Sequence, residues 1–116
     1  MDVPTYNKIN LNMMKTSMAM LWGAEFGEWN YEMNVEILKC LYKNKNPEHK
    51  DYDENDKKEI KQLGQDIYDR GGFDALQANF YIMSYFMDFC EEGNETHKTH
   101  ISSLNALFNR IGEWRY

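Results

Sequence analysis

The sequence contains few Val and Thr residues. Among its 116 residues there are only two Val and four Thr, although β-branched side chains are enriched in strands. Its apolar residues recur instead at the three- and four-residue spacing of helices. The length fits one domain. We therefore predict an all-α, single-domain bundle of four to five helices over residues 1–116.

Cysteines and long apolar runs are also scarce. Two cysteines, Cys40 and Cys90, cannot form a disulfide framework, so we expect both thiols to be reduced and mostly buried. The longest apolar run, Phe80–Met87, is interrupted by Ser84 and falls well short of the ~20 residues that span a bilayer. The acidic start lacks the basic end of a secretory signal. These absences predict a cytoplasmic, reducing location and no membrane association.

Basic residues are outnumbered, with 13 Lys and Arg against 19 Asp and Glu and a net charge of −6. Direct binding to duplex nucleic acid is not expected, because phosphate recognition relies on clusters of Lys and Arg. The hydrophobic fraction of 42% is too high for a disordered tail. What the chain has in surplus is large apolar side chains: three Trp, eight Tyr, six Phe and eight Met.

The first third of the chain predicts two helices and a connection. Leu11, Met14, Met18 and Leu21 form a helical stripe over residues 10–22, and Gly23 ends it. Residues 24–29 are interpreted as an aromatic connection. Asn30 is predicted to cap a second helix that Pro47 ends.

The remaining helices are predicted from caps and glycines. Asp53 is expected to cap a helix that ends at Gly71-Gly72, and Gly64 would allow another helix to approach closely. In residues 73–90, 13 of 18 residues are apolar, which predicts a largely buried central helix (about Phe73 to Cys90) or a subunit interface. The last helix is predicted over residues 95–110.

No motif predicts a metal, a cofactor or catalysis. The acidic segment 51–62 resembles the start of a calcium-binding loop, but Asp56 and Gln62 occupy the positions of the required glycine and glutamate. His97 and His100 with Cys90 match no established zinc spacing. We interpret both histidines as flanking the apolar stripe of the last helix, with zinc as the less favoured alternative.

Five aromatic residues fall outside the regular stripes and lie near glycines and helix ends: Trp22, Phe26, Trp29, Trp114 and Tyr116. Four of these positions belong to or follow two similar segments, residues 26–29 and 111–114, which share an apolar-Gly-Glu-Trp pattern. Trp and Tyr are frequent anchors of protein interfaces. The sequence therefore predicts that these five residues bind a partner. The alternative is that they cap the open ends of a small core.

Three functions follow from these features. The favoured one is a helical protein that acts by protein–protein interaction, binds a protein partner and forms homo-oligomers such as a homodimer. A second is an apolar ligand-binding bundle or small enzyme with a Met- and aromatic-lined cavity; its predicted lining is Met13, Met14, Met83, Met87, Tyr85 and Phe86, with Tyr81 or His97 as a polar contact. A third is mimicry of nucleic acid by the acidic residues near 51–56 and 91–95.

Overall fold

The fold is described from a computed structural model, which covers residues 9–43, 52–89 and 95–116. These ranges contain four helices and no strand: α1 (Leu11–Trp22), α2 (Ala24–Leu41), α3 (Glu54–Asp88) and α4 (Glu95–Leu107). The all-α prediction is confirmed, with four helices in the described ranges. None of these helices is both long and apolar enough to cross a membrane.

Helix α1 is an outer helix that forms a close hairpin with α2. The Asn10 side chain accepts a hydrogen bond from the Met13 amide at 3.1 Å and so caps α1. Met14 and Met18 are its fully buried side chains. At the crossing with α2, a Cβ on Gly27 would lie 2.6 Å from the Met18 carbonyl oxygen. Only a glycine permits this backbone-to-backbone approach.

Helix α2 begins and ends earlier than the sequence predicted, since its last residue is Leu41 and the predicted end was Pro47. Residues 24–29, interpreted as a connection, are its first turns, and Asn30 lies within the helix rather than at its cap. Gly23 alone makes the break, with φ 84° and ψ 173°, a region open essentially to glycine. Ala24 and Glu25 then favour helix. The Asn30 amide nitrogen donates to the Phe26 carbonyl at 2.8 Å, one turn back.

Three fully buried asparagines form a polar layer between the first three helices. Asn79 of α3 donates from Nδ2 to Asn30 Oδ1 at 2.8 Å and to the Ala75 carbonyl at 2.7 Å. Asn34 donates from Nδ2 to the Met18 sulfur at 3.5 Å. All three have an exposed fraction of 0%. The layer restricts the register of α2 against α3, because sliding the helices would separate its bonded groups.

Helix α3 starts and bends where the sequence predicted. Asp53 accepts a hydrogen bond from the Asn55 amide at 2.7 Å and caps it. Gly72, with φ 78° and ψ −173°, interrupts the helical geometry, so the element is two helical segments joined at a kink. Gly64 allows the predicted close approach: a Cβ there would lie 2.7 Å from Phe108 Cε1 and 2.8 Å from Ile111 Cδ1.

The second half of α3 is buried on one face only. Its buried apolar side chains are Ala75, Leu76, Phe80, Met83, Phe86 and Met87. Tyr81, Tyr85 and Phe89 are more than half exposed. This arrangement is compatible with a central position for the segment, but its outer face stays open to solvent in the described part of the chain.

The chain turns back on itself after α4. The helix ends at Leu107 rather than near Arg110, and Arg110 adopts φ 73°. The Arg110 amide donates to the Trp114 carbonyl at 2.8 Å. This turn returns Ile111 and Trp114 to the core, where their exposed fractions are 1% and 7%.

Candidate binding surface

Three of the five aromatic residues predicted to bind a partner meet at the α1–α2 junction. Trp22 is the last residue of α1, and Phe26 and Trp29 lie in the first turns of α2. Because Gly23 joins the two helices with no longer loop, the rings come together. Those of Trp22 and Phe26 are 5.5 Å apart, edge to face, and those of Phe26 and Trp29 are stacked at 5.9 Å. All three are half-buried.

An arginine completes this group. The Arg70 guanidinium carbon lies 4.4 Å from the centre of the Trp29 ring and 5.6 Å from that of Phe26. Arg70 is the last non-glycine residue before the α3 kink, and the adjacent Gly71 lies against Phe26, where a Cβ would be 3.0 Å from Phe26 Cζ. The absence of a side chain at Gly71 thus lets α3 reach the aromatic rings. We call Trp22, Phe26, Trp29 and Arg70 the aromatic–arginine cluster.

An open cleft of about 530 Å³ lies beside the cluster, lined by Trp22, Gly23, Ala24, Glu25, Phe26 and Arg70. Arg70 supplies its positive charge and Glu25 its negative charge. Gly23, the N-cap of α2, forms no side-chain hydrogen bond to the first N–H groups of the helix. The cleft therefore combines aromatic walls with one residue of each charge.

The outer face of α1 adjoins this junction. Met13, Met20 and Leu21 have exposed fractions of 56%, 82% and 55%, and Leu21 directly precedes Trp22. We call these three residues the α1 outer face. The only charged residue in α1 is Lys15, whose Nζ lies 3.9 Å from Glu28 Oε1. The α1 outer face, which also exposes Thr16 and Ser17, is thus uncharged and adjoins the aromatic–arginine cluster at Leu21.

Trp114 and Tyr116 lie elsewhere and in different surroundings. The Trp114 ring packs against Phe73, Phe80 and Phe108 at centroid distances of 6.0, 5.0 and 5.4 Å. Its Nε1 donates to Asn105 Oδ1 at 2.9 Å. Tyr116 is 69% exposed. The two similar Gly-Glu-Trp segments therefore differ: Trp29 is half-buried and Trp114 is in the core, so Trp114 does not belong to the aromatic–arginine cluster.

A buried polar group was not anticipated from the sequence. The Tyr42 hydroxyl lies 2.6 Å from His97 Nδ1, and the Tyr52 hydroxyl lies 2.6 Å from His100 Nδ1. Both histidines are fully buried, and the rings of Tyr42 and His100 are 4.3 Å apart. We call these four residues the Tyr–His cluster. It connects the end of α2, the start of α3 and the first turn of α4.

The only available signal for this cluster was the i, i+3 spacing of the two histidines, which we interpreted as flanking an apolar stripe. Their tyrosine partners lie 55 and 48 residues away in the chain, so spacing alone could not pair them. Burial raises the pKa of Tyr52 above its usual range. Its hydroxyl therefore keeps its proton near neutral pH, and its hydrogen bond with His100 connects the residues before α3 to α4.

The residues named for other functions are divided between the core and the surface in the described ranges. No group of three or more His, Cys, Asp or Glu residues there could hold a metal ion. Of the residues proposed to line an apolar cavity, Met14, Met83 and Met87 are fully buried in the core, whereas Met13 and Tyr85 are exposed.

The acidic residues near the start of α3 are partly neutralised. Asp56 pairs with Lys43 at 3.3 Å and Glu54 with Lys57 at 3.2 Å, and Asp53 caps the helix. Asp51, Glu91 and Glu92, with Cys90 and Pro47, lie outside the described residues. Of the carboxylates proposed to imitate nucleic acid, Asp53, Glu54 and Asp56 are thus engaged in contacts within the protein.

Comparisons with known proteins give no relative from which a function could be transferred: no family model, no curated protein and no solved structure matches the chain. The candidate surface is therefore interpreted from its own geometry.

Proposed function

We propose that this protein acts by protein–protein interaction and that it self-associates through the α1 outer face and the adjoining aromatic–arginine cluster. The observation that supports this most is the position of Trp22, Phe26 and Trp29. They form one connected, half-buried group of rings, in which Trp22 and Trp29 also pack against the core. Such rigid aromatic groups are typical centres of binding energy in interfaces.

The α1 outer face supports self-association in particular. Met20 is 82% exposed, and methionine side chains adapt readily to a partner surface. Two copies of a chain with net charge −6 repel each other. An interface formed by Met13, Met20 and Leu21 would bury no carboxylate from α1, so it avoids the cost of desolvating like charges.

Light scattering coupled to size exclusion tests this proposal. We expect the average mass to rise above the 13.9 kDa of one chain as the concentration increases from about 1 to 100 μM. Met20→Ser, alone or with Leu21→Ser, should weaken the association at least tenfold, which corresponds to about 1.4 kcal/mol. Both side chains are exposed, so the variants should keep the wild-type free energy of unfolding.

Tyr81→Ser is the matched control, because Tyr81 is 62% exposed but lies on α3. It should leave self-association unchanged. A chain that remains monomeric at 100 μM would refute self-association. An equal loss in Tyr81→Ser and Met20→Ser would refute the assignment to α1.

A further inference from the structure

Arg70 is a positive charge that stacks on aromatic rings and forms no ion pair within the described residues. Its guanidinium lies over the Trp29 and Phe26 rings, and it takes part in none of the ion pairs formed within the described residues. Stacking on aromatic rings restricts the side chain to one geometry. Binding of a ligand to Arg70 would therefore require less loss of conformational entropy than binding to a free, flexible side chain.

Stacking uses the face of the guanidinium and leaves its edge available. The five N–H donors lie in the plane of the group and match the two oxygens of a carboxylate. None of the hydrogen bonds or ion pairs within the described part of the chain involves these donors. Arg70 lines the cleft of about 530 Å³, in which the Trp22 and Phe26 side chains are apolar walls.

We propose that this cleft binds a carboxylate side chain carried by an apolar peptide segment of a protein partner. The carboxylate would accept hydrogen bonds from Arg70, and the neighbouring apolar side chains of the segment would contact Trp22 and Phe26. This inference rests on the proposed function and specifies the chemistry of the partner at that surface.

The charge distribution favours one carboxylate over more highly charged groups. Glu25 lines the same cleft, and the chain has a net charge of −6. A phosphate dianion or a nucleic acid would meet repulsion from both, whereas a single carboxylate requires only the one cation present. An apolar context for the carboxylate is expected because the cleft walls are aromatic.

The test uses three peptides with acetylated and amidated ends: Phe-Glu-Leu, Phe-Gln-Leu and Phe-phosphoserine-Leu. Binding is followed by the indole N–H resonances of ¹⁵N-labelled protein. The Glu peptide should shift the resonances of Trp22 and Trp29 and leave buried Trp114 unchanged. The Gln peptide should bind about tenfold or more weakly, as expected when a charged hydrogen bond is lost.

Variants of Arg70 separate the contribution of its charge to peptide affinity from the contribution of its planar shape. Arg70→Gln should reduce affinity for the Glu peptide at least tenfold. Arg70→Lys should recover part of this loss, because lysine keeps the charge but lacks the planar fork. Arg110→Gln, which removes an exposed arginine from the turn after α4, should have no effect. An unchanged Trp114 resonance would verify that each variant is folded.

The outcomes also separate this inference from the proposed function. Equal binding of the Glu and Gln peptides, tighter binding of the phosphoserine peptide, or unchanged binding by Arg70→Gln would overturn it. So would the absence of shifts at about 10 mM peptide. If peptide binding fails while Met20→Ser still disrupts self-association, only this inference is refuted. If the chain is monomeric but binds the Glu peptide through Arg70, only self-association is refuted.

Discussion

At the scale of single residues, burial gives polar side chains their roles in this fold. His97 and His100 are fully buried and paired with tyrosine hydroxyls, and Asn30 and Asn79 are fully buried and paired with each other. A buried polar group costs free energy unless it is hydrogen-bonded. These side chains therefore favour the arrangement of helices in which their hydrogen-bond partners are close to one another.

Tyr52→Phe should show how much the Tyr–His cluster contributes to the free energy of unfolding. The change deletes the hydroxyl that lies 2.6 Å from His100 Nδ1 while retaining the ring. Loss of a buried hydrogen-bond partner costs about 1–3 kcal/mol, so urea unfolding should show a decrease of that size in the free energy of unfolding. Tyr85→Phe is the matched control, since Tyr85 is 57% exposed, and it should change stability by less than about 0.5 kcal/mol. Equal effects in the two variants would contradict this role.

At the scale of helices, glycines determine where the elements bend and approach. Gly23 and Gly72 both adopt positive φ with ψ near 180° and create the breaks that bring Arg70 to the α1–α2 junction. Gly27 and Gly64 have no such strain and instead allow close packing. The same residue type therefore serves two different physical purposes.

Alanine substitutions at Gly27 and Gly64 should differ in effect. At Gly27 the new Cβ would meet the α1 backbone, at 2.6 Å from the Met18 oxygen and 2.8 Å from the Ala19 Cα. At Gly64 it would meet the side chains of Phe108 and Ile111, which can partly adjust. Overpacking typically costs about 1–3 kcal/mol, occasionally more, while alanine in a helix regains about 1 kcal/mol over glycine.

We therefore expect Gly27→Ala to destabilise the fold by about 2 kcal/mol or more and Gly64→Ala by less, measured by urea unfolding. Gln65→Ala, in the same helix as Gly64, controls for helix propensity and should be close to neutral. A smaller effect at Gly27 than at Gly64 would show that α1 and α2 are not in backbone contact.

At the scale of the whole molecule, folding removes ionisable groups from water and so makes stability depend on pH. Cys40 is 4% exposed, and burial raises the pKa of its thiol from 9.0 to about 11. The prediction of a buried, free thiol is confirmed at this position. Burial likewise raises the pKa of Tyr52.

Stability should fall between about pH 9 and pH 11. The thiol of the unfolded chain loses its proton near pH 9, whereas that of the folded chain keeps it until about pH 11. The contribution is therefore fully present below pH 9 and is lost as the pH rises through this range. Two pKa units correspond to about 2–3 kcal/mol. Cys40→Ala should remove this share of the pH dependence in urea unfolding at pH 8 and 10.5, and an unchanged dependence would contradict the assignment.

Local sequence determined the class of fold and several helix boundaries. The bounds of α1, the Asp53 cap, the breaks at Gly23 and Gly72 and the close approach at Gly64 could all be predicted, because each depends on one residue and its immediate neighbours. The first turns of α2 were missed, since glycines and aromatic residues at 23–29 suggested a connection while the helix is stabilised by packing on α1.

Tertiary structure alone decided which aromatic residues lie at the surface and which lie in the core. Trp29 and Trp114 occupy nearly identical local sequences, yet the first is half-buried beside Arg70 and the second is in the core. The difference comes from what lies opposite each ring. Trp29 faces Arg70 of α3, 41 residues away, whereas Trp114 faces Phe73 and Phe80 of α3. Periodicity within one helix carries no information about such contacts, so the surface with its arginine could be recognised only once the helices were packed together.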